Sequence, residues 1–266
     1  MRVKALCQSA IREVHKCAFL RPMPEKVAIY LHEIHKDEFS NFEEFVRYWK
    51  DQDYAFVNAR DYVAAQGRRV LYLSFDDNFR SWLDTLPLFD ELDVKATFFI
   101  NTSPIRDRVS QDEIDVFFER IAYENGAART QTLSASEICE IANRGHTIGC
   151  HSHSHHNLSE LTDEQARSEI LQCKTILEEI LGGEVRDFAY PYGMRRHFNE
   201  ALREYCTEIG LTTVSNGIPG MLHDTVRPDS IHRSPWRFDR PIHYNVQNLK
   251  IDSRFMERLT GRTAAV

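Results

Sequence analysis

Apolar runs of strand length recur along this chain, and helical periodicity follows nearly every one. The strand candidates are residues 27–31, 69–75, 95–100, 147–150, 187–189, 211–214 and 231–236. Between them lie segments with helical start and stop signals. Ser40 and Glu43 stand at capping-box spacing ahead of Phe42, Phe45, Val46 and Trp49. Leu83, Leu86, Phe89 and Leu92 mark a helix that Pro87 should keep short or kinked. A further helix is expected around 113–124. Ser134 with Glu137, and Thr162 with Gln165, open two more, which stop at Gly145 and at Gly182-Gly183. A last helix is expected near 253–259. Parallel strands need crossovers of about a dozen residues, so strands alternating with helices favour a parallel sheet. No Gly-x-Gly-x-x-Gly turn supports a dinucleotide-binding sheet. The expectation is an α/β barrel, with chemical groups just after strand C-terminal ends.

The 266 residues fit one such barrel as a single domain. We expect it over 26–260, with an insertion near 103–133, an N-terminal extension 1–25 and a loose tail 261–266. Lys plus Arg is 33 and Asp plus Glu is 40, a net charge of −7, which argues against a nucleic-acid partner. No apolar run reaches the length of a membrane span. The N-terminus lacks a continuous apolar core, and the six cysteines form no CxxC pair. Both features suggest a cytoplasmic protein with reduced thiols.

Three clusters fall after strands. Asp76-Asp77-Asn78 follows the second. Neighbouring carboxylates there can divide labour, one binding a metal while the other serves as a base, although Asp and Asn also favour plain turns. Strand side chains alternate between faces, so both aspartates can enter one site only if the chain turns, and Asn78 is suited to such a turn. The second cluster holds four histidines within 151–156. His151 and His155 can share an ion if the segment makes a helical turn, and His151 and His153 if it stays extended. The third is Tyr190-Pro191-Tyr192-Gly193, a stiff turn that can aim an N–H at a ligand.

Asp-Asp, then His-x-x-x-His, then Tyr-Pro-Tyr-Gly, in this order and each after a strand, resembles the NodB-homology polysaccharide deacetylases. The resemblance runs from about Val27 to Trp236. It implies a deformed (β/α)7 barrel and metal-dependent removal of acetyl groups, usually from N-acetylated sugars. It implies Asp76 as general base, Asp77, His151 and His155 as metal ligands, and the Tyr192 main-chain N–H as oxyanion donor, with His153 as a spacer. Tyr190, Pro191 and His32 are the expected substrate-binding positions. Zinc is the expected ion, and cobalt, nickel, iron or manganese suit the same mixed donors.

Three departures stand out. Asn78 replaces a common glycine. Ala189 stands where many members carry an arginine that braces the catalytic aspartate, and Arg233 is the substitute we expect. The family's late Leu-x-His-Asp motif, source of the general acid, has no clean match. Leu222-His223-Asp224, His232 and His32 compete for that role. The expected function is deacetylation of an N-acetylated sugar or saccharide. The rivals are a deformylase or cyclic-imide hydrolase on the same fold, and a catalytically silent sugar-binding module.

Overall fold

The computed structural model describes residues 23–121, 131–218 and 226–250. Strand β1 (Lys26–Leu31) pairs in parallel with β3 (Val70–Phe75) along its whole length. Two strands share the other edge of β3. The short β2 (Ala55–Val57) takes its start, and β4 (Thr97–Ile100) takes Ser74 and Phe75. The ladder continues through β5 (Thr147–Cys150), β6 (Asp187–Ala189) and β7 (Thr213–Asn216), all parallel.

The segment 231–235 then does two things. Its first half, β8 (Ile231–His232), pairs with β7, and its second half, β9 (Ser234–Pro235), pairs with β1. The two ends of the strand order are therefore one extended stretch broken at Arg233. The sheet closes on itself as the deformed seven-stranded barrel the sequence implied, with β2 as a side strand.

Alternation along the strands sorts the core. Ala28, Val70, Tyr72, Phe99, Ala189 and Ile231 form one buried cluster inside the ring. Their neighbours Val27, Ile29, Leu71, Leu73 and Phe98 join the larger cluster between the ring and its helices.

The helices follow the sequence signals with instructive exceptions. In α1 (Phe39–Asp51), Phe42, Phe45, Val46 and Trp49 are buried as expected, but Ser40 is not its cap. A 3-10 turn over Lys36–Glu38 runs straight into α1, and the capping box is His35 with Glu38. Ser40 therefore already lies within the helix. The sequence reading missed β2 and the short α2 (Ala59–Ala64), capped by Asn58, because each is only a few residues long. Pro87 sits inside α3 (Trp82–Glu91), which is short. Helix α4 (Gln111–Arg120) starts two residues before the expected 113 because Ser110 and Glu113 form its capping box. Ser134 and Thr162 cap α5 (Ala135–Asn143) and α6 (Asp163–Leu181) as expected.

Strand β7 lies two residues beyond the expected 211–214. Leu211 still bonds back to the end of α7 (Glu200–Glu208), and the polar Ser215 and Asn216 are accepted inside because they find partners there. A helix not expected from sequence, α8 (Ile242–Leu249), packs Val246 and Leu249 inward. The expected N-terminal extension before residue 23, the helix near 253–259 and the tail 261–266 lie outside the described residues. No helix among the described residues is long and apolar enough to cross a membrane.

Candidate metal centre and active site

Inward positions on β3 are Val70, Tyr72 and Ser74, so Asp76 continues inward by parity. Asp77 should point away, yet it also faces the site because its own backbone turns left-handed, at φ 86°. This corrects the expectation that Asn78 makes the turn. Aspartate, like asparagine, tolerates positive φ better than most residues. Asn78 instead works as a buried clamp. Its Nδ2 donates to Asn101 O at 3.0 Å, and its Oδ1 accepts from Leu133 N at 2.8 Å. The Asn101 N–H donates to Asp77 O at 3.1 Å, so the loops after β3 and β4 hold one another.

The histidines converge by neither of the two routes weighed from the sequence. His151 extends the β5 ladder through its N–H to Ile100 O at 3.0 Å. Ser152 and His155 then both adopt positive φ, 64° and 58°, and Ser152 Oγ accepts the His155 N–H at 3.1 Å. This tight turn brings His155 back beside His151, with ring centroids 5.1 Å apart. His153 points elsewhere, its Nδ1 2.9 Å from Thr102 Oγ. Strained backbone gathered at one place is characteristic of functional sites.

Asp77, His151 and His155 are all buried and offer ligand atoms within 4.8 Å of one another. His151 Nε2 lies 3.4 Å and His155 Nε2 3.2 Å from Asp77 Oδ1. These contacts are at ion-pair distance without hydrogen-bond geometry, and Asp77 Oδ1 is a buried oxygen with no hydrogen-bond partner. Electron-pair donors this close together and aimed at one another fit a cation held between them. His151 Nδ1 donates to Ala189 O at 2.7 Å, which leaves Nε2 as the ligand nitrogen. Burial opposes the charge on Asp77, but the two histidines outweigh it and hold its carboxyl well below the usual range. Burial likewise pulls His151 down, and Asp77 and Asp76 together push it above its ordinary value.

Beside this cluster, Arg233 grips Asp76 with both arms of its guanidinium. Nη1 meets Oδ1 at 2.6 Å and Nη2 meets Oδ2 at 2.8 Å. Nη1 also reaches Ser74 Oγ at 2.8 Å, and Nε reaches Asn216 O at 3.0 Å. The cation lies 5.1 Å from the ring centroids of both Tyr30 and Phe99. At 1% exposure it is a charge fully committed to one carboxylate.

A cavity of about 220 Å³ opens over these groups, walled in part by Tyr190, Tyr192, Gly193 and Arg120. It adjoins a groove of about 660 Å³ that includes Trp236 and Phe238. His32 lines both, with Nε2 4.0 Å from Asp77 Oδ2. His232 has the opposite strand parity from Arg233 and lies outside the lining of both. Pro191, expected to bind substrate, is buried and lies outside the lining of both. Tyr192 sits at φ 64°, its ring 5.1 Å from that of His155. Gly193 at φ 66° must be glycine, since a Cβ there would stand 2.5 Å from Gly217 N. Leu222-His223-Asp224 falls outside the described residues. Sequence reasoning missed Asn101 and Arg120, since neither stands in a local motif.

A closed parallel barrel with an Asp–His–His group at its strand C-terminal ends, beside a braced carboxylate, defines a metal-dependent hydrolase site. The chain belongs to the polysaccharide deacetylase family, whose model matches residues 64–214, more than half of the chain. A peptidoglycan-N-acetylglucosamine deacetylase of Bacillus cereus is 38% identical over 56 residues, 21% of this chain and 20% of that relative. The fold matches deacetylase PplD of Streptococcus pyogenes, solved with acetate, at TM-score 0.66 and 18% identity over 85% of this chain and 99% of that one. It also matches IcaB of Ammonifex degensii at TM-score 0.65 and 16% identity, over 86% and 98%.

Proposed function

We propose that this protein removes the acetyl group from an N-acetylated sugar or saccharide by metal-dependent hydrolysis. The observation that carries the reading is the convergence of Asp77, His151 and His155 beside an Asp76 fixed in plane by Arg233. Those three residues would hold a divalent ion, zinc first, which when bound would polarise the amide carbonyl and acidify a water. Asp76 accepts the proton of the attacking water, its carboxylate held by Arg233 while facing the cavity. The Tyr192 N–H steadies the developing oxyanion, its left-handed backbone supported by the glycine that follows. His32 protonates the leaving amine. Its ring faces the cluster across the cavity, whereas His232 has the wrong parity.

We also propose a sugar precursor, or a lipid-linked sugar at the cytoplasmic face, as substrate. The four described cysteines are free thiols, three of them buried, as suits a reducing compartment. Acetate and formate release from a panel of N-acyl sugars by metal-loaded protein tests the activity. Acetate from sugars supports it, formate or imide turnover shifts it to a rival amidase, and no turnover with metal bound leaves a sugar-binding module. Recovery of the native protein from the periplasm or medium would refute the placement.

A further inference from the structure

We propose that Arg120 determines specificity by receiving an anionic group, a phosphate or a carboxylate, carried by the N-acylated sugar. This rests on the deacetylase reading and narrows its substrate class.

Arg120 ends α4, which belongs to the segment between β4 and α5 and not to a strand end. Buried Ile114, Phe117 and Phe118 fix that helix against the core. The Arg120 Nη1 donates to Ser154 O at 2.5 Å. Ser154 is itself pinned, its N–H and Oγ both bonding to the Glu169 carboxylate at 2.8 and 2.6 Å. The guanidinium is thereby anchored one residue from His155 and walls the catalytic cavity.

Its pairing differs from that of four other arginines. Arg80 and Arg106 share Glu137, Arg144 has Asp90 and Glu140, and Arg233 has Asp76. Arg120 is half-buried and, among the described residues, has a carbonyl for a partner but no carboxylate. Among the described residues one of its five donors has a partner, and the planar fork matches phosphate or carboxylate oxygens. A guanidinium with no carboxylate partner among the described residues, in a cavity that would also hold a divalent ion, is well placed to receive an anion arriving with the substrate.

As a last-turn residue Arg120 also complements its helix dipole, so the test must separate recognition from support. Acetate release is measured with the metal-loaded full chain on three sugars: methyl N-acetylglucosaminide, N-acetylglucosamine 1-phosphate and N-acetylmuramic acid. The wild type should favour an anionic sugar over the neutral one by about ten- to a hundredfold in kcat/KM, carried by KM, as a charged hydrogen-bond pair supplies. The phosphate and carboxylate arms identify which anion it reads. Arg120→Gln should collapse the ratio towards one, and Arg120→Lys should keep part of it.

No anion preference in the wild type would overturn the proposal. So would an equal loss on all three sugars in Arg120→Gln, or loss of its metal, either of which makes the role structural. If no sugar yields acetate, the deacetylase reading fails separately. Calorimetric titration of the same sugars then decides on Arg120. Tighter anionic binding by wild type, lost in Arg120→Gln, supports it, and equal binding overturns it.

Discussion

Replacing Asp76 by asparagine separates the two adjacent aspartates. The substitution keeps size and removes basicity. The new side chain would present one oxygen and one NH2 group to the guanidinium of Arg233, so one of the two present hydrogen bonds becomes donor facing donor. Arg233 would remain at 1% exposure with its countercharge gone. Breaking a buried pair from one side costs about 3–5 kcal/mol, and the surviving hydrogen bond places this case near the lower end, about 3 kcal/mol. For a chain of this size that lowers Tm by about 6–12 °C without unfolding the protein. Loss of the general base should cut kcat by about 10²–10⁴-fold. Bound metal should persist, because Asp77, His151 and His155 are untouched.

Metal analysis, urea unfolding and steady-state kinetics on one preparation measure all three effects. Arg233→Met and the double variant complete a thermodynamic cycle. With both charges gone, the double variant should be less destabilised than the sum of the singles by at least about 2 kcal/mol. Metal loss in Asp76→Asn as complete as in Asp77→Ala would refute the division of roles. Additivity of the cycle within about 0.5 kcal/mol would refute the coupling.

Asp77→Ala should strip metal and activity together, whereas His153→Ala, whose ring faces Thr102, should keep both; metal content of the purified proteins checks this. His32→Ala should lower kcat by about 10²–10³-fold with metal retained, and His232→Ala should stay near wild type; the reverse pattern would exchange their roles. Burial, with Lys95 nearby, pushes His146 down to about 4. A base whose folded pKa is depressed takes up protons first in the unfolded chain, so stability is lost as pH falls from about 6.5 towards 4 and is level above that window. At pH 5 this amounts to about 2 kcal/mol, so urea unfolding at pH 7.5 and 5.0 should show a smaller drop in His146→Gln than in wild type by about that amount. Equal drops would show that His146 does not contribute.

Local patterning in the chain was enough to specify the parallel alternation, the caps at Ser134 and Thr162, and the placement of all three chemical clusters after strands. A capping box spans four residues, and the alternation of apolar runs is written within each element. What depends on closing the ring had no such local signal. Residues 231–235 had to serve two neighbours at once before Arg233 could enter the barrel and meet Asp76. That inward parity turned His232 away, while β1 carried His32 to the cavity. Bringing Asp77, His151 and His155 together required left-handed backbone at Asp77, Ser152 and His155, held by Asn78 and Asn101. A side chain's direction at a turn is set by what the surrounding loops can clamp, and those loops meet only once the strands are in register.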